Sequence, residues 1–220
     1  MRFQIPKNIV DAPTANAEET RVVEAELRNK QARCWKDANV PEKYRRADFG
    51  MIGSLPPDVS EPYAKTISSL QHLLEQPAML AMIGGRGAGK TWMACALVRE
   101  FCKAGRSAMY LEAMDYFLEL QETFDNGCKI NSASVERKHI APELIVLDAM
   151  EERADTAWND RMLVRLINKR YAANKSTLMI SNQDATTFKK HIGESIEDRI
   201  RDGGGIIKCD WKSLRGRINP

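Results

Sequence analysis

The chain has 220 residues, 43% of them hydrophobic and 29% charged, with a net charge of +3. That is a globular composition, long enough for one large domain or one domain plus an arm, and its charge neither demands nor excludes nucleic acid. No stretch approaches the ~18 apolar residues of a membrane span and the N-terminal MRFQIPKNIV has no run of signal-peptide length. The five cysteines (Cys34, Cys95, Cys102, Cys128, Cys209) form no C-x-x-C pair and the three histidines (His72, His139, His191) are far apart, so a reducing, cytoplasmic setting is expected and a zinc site is not.

Residues 1–15, with Pro6 and Pro13, read as a loose tail. Asn16 can cap a helix running to about Lys36. Its apolar stripe is thin (Val22, Val23, Leu27, Trp35), which predicts a helix that projects from the body, docks on a partner or is simply solvated. Residues 1–45 are therefore expected to form an arm and 46–220 the main domain, joined by the connector 39–49. Glu61 to Gln76 reads as a helix ended by Pro77. AMLAMI (78–83) is a wholly apolar run of the kind that makes a buried parallel strand. A glycine loop and a helix from Thr91 to Ala104 follow. SAMYLEA (107–113) is the next strand, MDYFLELQETFDNG a helix closing on Gly127, and LIVLD (144–148) a strand. A helix from Asn159 to Ala173 carries Arg161, Arg165, Lys169 and Arg170, which fit a charged outer face. STLMISN (176–182) is another strand. Strands alternating with helices predict an α/β fold with a parallel sheet flanked by helices.

GGRGAGKT satisfies G-x-x-x-x-G-K-[ST] over Gly84, Gly85, Arg86, Gly87, Ala88, Gly89, Lys90 and Thr91. Glycines let backbone N–H groups wrap phosphates, Lys90 can reach the β- and γ-phosphates, and the Thr91 hydroxyl can bind Mg²⁺. Asp148, ending an apolar strand, is placed to hold the Mg²⁺ shell; a cap after a core strand is its plainer reading. Asn182 ends a further strand, where its amide can reach the γ-phosphate or the attacking water; alone, such an Asn is more often a turn residue.

Taken with GESIEDRIRDGGG and WKSLRGR near the C-terminus, these motifs resemble AAA+ P-loop ATPases of the branch that holds DnaC-type helicase loaders and IstB-type transposition helpers. The resemblance covers about residues 40–220. It implies ATP and Mg²⁺ as cofactors, Asn182 as first sensor, Arg215 as second sensor within the same subunit, and Arg199 as an arginine finger offered to a neighbouring subunit, with Arg201 the alternative. Leu214 stands where that group usually has Tyr. The resemblance further implies a homo-oligomer, single-stranded DNA in its channel, and a replicative hexameric helicase as partner, engaged through the N-terminal helix of a shortened, phage-type loader. Lys129, Arg137, Lys138, Thr156 and Trp158 are the candidate DNA contacts; a solvated loop and a packing tryptophan account for them equally well.

One departure bears on activity. The family has Asp-Glu where this chain has Asp148–Ala149. That Glu orients the attacking water, and losing a general base costs on the order of 10²–10⁴ in rate while binding survives. The otherwise complete site reads as one deliberately changed from Glu to Ala to trap the ATP state. If Ala149 is natural, a nucleotide-locked adaptor or helicase inhibitor is the alternative, beside an IstB-like transposition helper. Glu151 and Glu152 are weak substitutes, because the chain has left the strand by then.

Overall fold

A computed structural model describes residues 17–50, 55–124 and 131–216. Its elements are α1 (Ala17–Asp37), α2 (Pro57–Glu75), β1 (Met79–Ile83), α3 (Lys90–Lys103), β2 (Ala108–Glu112), α4 (Ala113–Glu122) and α5 (Ser132–Ile140). They continue with β3 (Leu144–Asp148), α6 (Ala157–Ala172), β4 (Ser176–Ser181), α7 (Ala185–Ile192), α8 (Glu194–Gly203) and β5 (Gly204–Lys208). Short 3₁₀ turns lie at Glu42–Tyr44 and Met150–Glu152. No helix among the described residues is long and apolar enough to cross a membrane.

The five strands form one parallel sheet in the order β2-β3-β4-β1-β5. The strands β1, β3 and β4 are buried along their whole length, as continuous apolar runs covered on both faces must be. Their side chains alternate between two cores. Leu80 and Met82 face a layer containing Leu70, Leu73, Leu97 and Phe101; Met79, Ala81 and Ile83 face one containing Phe117, Leu163, Leu166 and Phe188. A parallel, in-register sheet brings the strand C-termini to one edge. With β4 between β3 and β1, residues following β4 fall between Asp148 and the glycine loop.

Helix α2 begins at Pro57, earlier than the expected Glu61. Proline suits the first helical position, and burial of Val59 and Tyr63 extends the apolar face past Pro62. The expected cap Asn16 and the stop Gly127 lie outside the described residues. The second half of α1 lies against the domain: Gln31 Nε2 donates to the Lys103 carbonyl (2.6 Å), Leu27 abuts Gly105, and Cys34 and Trp35 pack on the core. Immediately beyond it, Tyr110 N donates to Ala38 O (2.8 Å), so the chain runs on beside the edge strand β2. Val22 and Val23 remain more than half exposed.

Arg170 departs from the outer-face expectation. It is fully buried and ties the ends of several elements together. Arg165 and Lys169 do lie at the surface, where both pair with Glu136.

Candidate nucleotide site

Gly84 to Gly89 leave β1 at the C-terminal edge of the sheet and lead into α3. The loop can only be glycine-rich here. Gly84 has φ +133, and a Cβ on it would sit 2.5 Å from the Cys209 carbonyl oxygen; Gly87 has φ +85, and its Cβ would meet Ser213 Oγ at 2.1 Å. Lys90, first residue of α3, is 4% exposed. Its ammonium donates to Gly84 O (2.6 Å), Gly85 O (2.9 Å) and Asn182 Oδ1 (2.9 Å). Burial lowers its pKa, opposed by nearby acidic groups including Asp148 and Glu151.

Thr91 Oγ1 donates to Asp148 Oδ2 (2.7 Å), and the same oxygen accepts from the buried Tyr110 hydroxyl (2.8 Å). Burial, then the Asp148 charge and this hydrogen bond, push the Tyr110 phenol far above its ordinary range, so it stays a donor. A buried ammonium at a glycine cradle suits phosphate. A hydroxyl and carboxylate side by side suit a hard cation such as Mg²⁺. Thus the expected phosphate loop, Thr91, Asp148 and Asn182 are brought together. Tyr110 was missed; its only signal is that it ends two residues before the close of a strand, on the face shared with α3.

The C-terminal segment is fastened to this loop. Leu214 N donates to Gly87 O (2.8 Å) and Trp211 Nε1 to Ala88 O (3.0 Å); the Trp211 ring also packs 5.9 Å from Tyr63, which abuts Gly89. Leu214 is buried, and Arg215 comes beside Gly87 with its side chain exposed. Gly87→Ala should therefore cost about 2 kcal/mol in urea unfolding, from the left-handed backbone and the push on Ser213; an unchanged midpoint would refute this clasp.

Arg199 does not enter this site. It lies over the Tyr171 ring (4.8 Å) in the last turn of α6, at the end of the helix that leads into β4, while the phosphate loop lies at the opposite sheet edge. Arg201 is well exposed and pairs with Asp198 (2.7 Å).

The candidate DNA contacts are spread out. Lys129 lies outside the described residues. Arg137 and Lys138 occupy the last turn of α5, a helix where a solvated loop is the plainer expectation, and Lys138 pairs with Glu119 (2.8 Å). Thr156 caps α6 by accepting from Asn159 N (3.1 Å). The half-buried Trp158 ring meets Phe117 (6.4 Å) and the exposed Phe124 (6.2 Å) edge-on.

Ala149 is left-handed (φ 52, ψ 45), and the turn after it brings Glu151 back to the site. Glu151 accepts from Ser181 Oγ (2.9 Å), Asn182 N (3.1 Å) and Asn182 Nδ2. Leaving the strand thus does not remove Glu151, contrary to the sequence expectation. Glu152 points outward, 3.5 Å from Arg86.

A family model described as IstB-like ATP binding protein matches residues 22–218. The replicative helicase loader DnaC of Escherichia coli (strain K12) is 23% identical over 137 residues, 61% of this chain and 55% of that protein. The uncharacterized protein YdaV of the same strain is 26% identical over 139 residues, 63% and 55% respectively. The chain spans about half the length of the curated relatives it matches. Among solved structures, the DnaC helicase loader aligns with TM-score 0.62 at 19% identity, covering 76% of this chain and 99% of that one. The replication initiator DnaA bound to AMPPCP and single-stranded DNA aligns with TM-score 0.63 at 16% identity, covering 81% and 54%. Those likenesses establish the fold as an AAA+-type P-loop NTPase. By the family match over most of its length, this chain belongs to the IstB-like ATP-binding proteins.

Proposed function

We propose that this protein is an ATP-dependent loader of a replicative DNA helicase. In this reading it binds ATP with Mg²⁺ through residues 84–91 and Asp148, and assembles as a homo-oligomer on single-stranded DNA in the cytoplasm. Arg199 serves a neighbour's nucleotide, Asn182 and Arg215 sense the subunit's own, and Arg137, Lys138, Thr156 and Trp158 face DNA, with Lys129. The first 45 residues act as the partner-binding arm, through Val22, Val23 and Leu27. Hydrolysis is slow, because Ala149 leaves the position after Asp148 without a carboxylate.

The observation that supports this most is the meeting of Lys90, the Thr91–Asp148 pair and Asn182 at one sheet edge, in a chain with DnaC among its relatives. Arg199 lies away from its own site, as a group serving a neighbour would. The second reading, a transposition helper on duplex DNA, draws on the family description.

Affinity capture from host extract in the presence of ATP separates the two. The loader retains the replicative helicase and prefers single-stranded oligonucleotides; the helper retains a transposase and prefers duplex. Helicase capture that is equal with and without ATP would count against the first reading.

A further inference from the structure

Among the described residues, three non-glycine positions have positive φ: Asn39, Ala149 and Asn174. Asparagine tolerates that conformation. An alanine there costs roughly 1–2 kcal/mol, so something must hold it in place. The flanks do. Met150 is buried in the core, and the buried Arg153 donates to Asp160 Oδ1 (2.5 Å) and to the His191 carbonyl (2.7 Å). Glu152 N closes the turn on Ala149 O (2.9 Å). Pinned at both ends, the turn directs Glu151 toward the end of β4.

There the Glu151 carboxylate shares Asn182 with Lys90: one oxygen takes the Asn182 amide hydrogen, while the Asn182 amide oxygen accepts from Lys90 Nζ. Burial by itself would raise the Glu151 pKa. The hydrogen bonds it accepts overcome this and hold it below the ordinary carboxylate value, so it is ionised at neutral pH. Other carboxylates nearby are placed differently. Asp148 sits at the cation position, paired with the Thr91 hydroxyl and accepting also from Tyr110 and Ala149 N, whereas the three hydrogen bonds that Glu151 accepts all come from Ser181 and Asn182 at the end of β4. Glu152 faces Arg86. Glu112 ends β2, on the far side of β3 from the phosphate loop.

We propose that Glu151 is the general base of this site: the carboxylate that orients and deprotonates the attacking water, supplied from the turn rather than from the position next to Asp148. This deepens the ATP-binding reading above and rests on it. In the step, the water oxygen bonds to the γ-phosphorus as the bond from that phosphorus to the β,γ-bridging oxygen breaks. The electron pair leaves with ADP, and Glu151 takes the water proton and releases it to solvent. The left-handed backbone at Ala149 then has a purpose, since an extended residue there would carry Glu151 past the site.

Phosphate release and fluorescent-ATP titration, run in parallel on the full chain, test this. The wild type should bind ATP and turn it over slowly but measurably. Glu151→Gln should lower kcat by about 10²-fold while leaving ATP affinity within about threefold. Glu151→Gly should lose turnover similarly and regain it with added formate, which supplies a carboxylate in solution. Should the neutral variants fail to fold, Glu151→Asp, still ionised but shorter, should bind ATP and lose about tenfold in rate. Turnover by Glu151→Gln or Glu151→Asp equal to wild type overturns the proposal. So does a loss in Glu151→Gly that formate leaves uncorrected, because the side chain would then only position Asn182. A wild type that binds ATP and releases no phosphate also overturns it. A wild type that binds no ATP fails at the earlier step, the nucleotide-site reading itself.

Discussion

Lys90→Ala is expected to weaken ATP binding by about 10²–10⁴-fold, because two charge-assisted hydrogen bonds to phosphate, at roughly 1.5–3 kcal/mol each, disappear together. The residue is nearly buried and its ammonium already has three oxygen partners, the carbonyls of Gly84 and Gly85 and the amide oxygen of Asn182. Its position is thus fixed before any phosphate arrives, and binding needs no search for a rotamer. The same three contacts complicate the variant. Removing the ammonium strips three partly buried acceptors of a partner, so unfolding free energy should fall by about 1–3 kcal/mol even without nucleotide. Titration with a fluorescent ATP analogue reads the first effect. Denaturation with and without ATP separates it from the second, since a ligand that no longer binds adds no stability. Lys90→Arg should not rescue binding: a planar guanidinium does not fit the space of a compact ammonium between two loop carbonyls. Undiminished affinity in Lys90→Ala would remove the nucleotide site from the proposed function.

What the sequence made legible was the part of the site written in local chemistry. Gly84 to Thr91, Asp148 at the end of LIVLD and Asn182 at the end of LMISN could be assigned because strand, loop and helix signals adjoin each motif. Parallel pairing then makes their meeting a matter of sheet order. What stayed hidden depends on returns of the chain. β5 begins with Gly204 and Gly205, a residue type depleted in strands; only the approach of Met79 O, 1.8 Å from where a Gly204 Cβ would lie, explains why a glycine opens that strand. α5, within 132–140, has a weak apolar face because Val135 and His139 alone supply its deeply buried apolar contacts, while Glu136 is buried through Arg165 and Lys169. The clasp of Trp211 and Leu214 on the phosphate loop joins residues more than a hundred apart. Glu151 enters the site through one backbone angle at an alanine, which no residue pattern announces.

Arg170→Leu should destabilise the fold by about 3–5 kcal/mol, a large share of the ~5–15 kcal/mol that a domain of this kind has. The guanidinium is wholly buried near the end of α6. It donates to the carbonyls of His139 (2.9 Å), Ile140 (3.1 Å) and Pro142 (3.0 Å), to Ser176 O (2.5 Å) and to Thr177 Oγ1 (3.0 Å). The first two of those carbonyls close α5, where a helix has no partners of its own and its dipole favours a cation. The third lies on the entry to β3, and the last two acceptors start β4. One side chain therefore sets how the strands bearing Asp148 and Asn182 begin, at the sheet edge opposite the site. Burial pushes its pKa down to about 9, so the charge persists at neutral pH and the five donors remain available. Leucine fills much of the space but leaves four main-chain oxygens unsatisfied. Lysine keeps the charge with three donors in place of five and should recover about half of the loss. Urea unfolding reads both variants, and ATP titration at low temperature on the still-folded protein should show near-normal affinity, because the phosphate loop touches none of these acceptors. A loss below about 1 kcal/mol in Arg170→Leu would mean that water can replace the guanidinium at those carbonyls, and that the strand starts are held by the sheet alone.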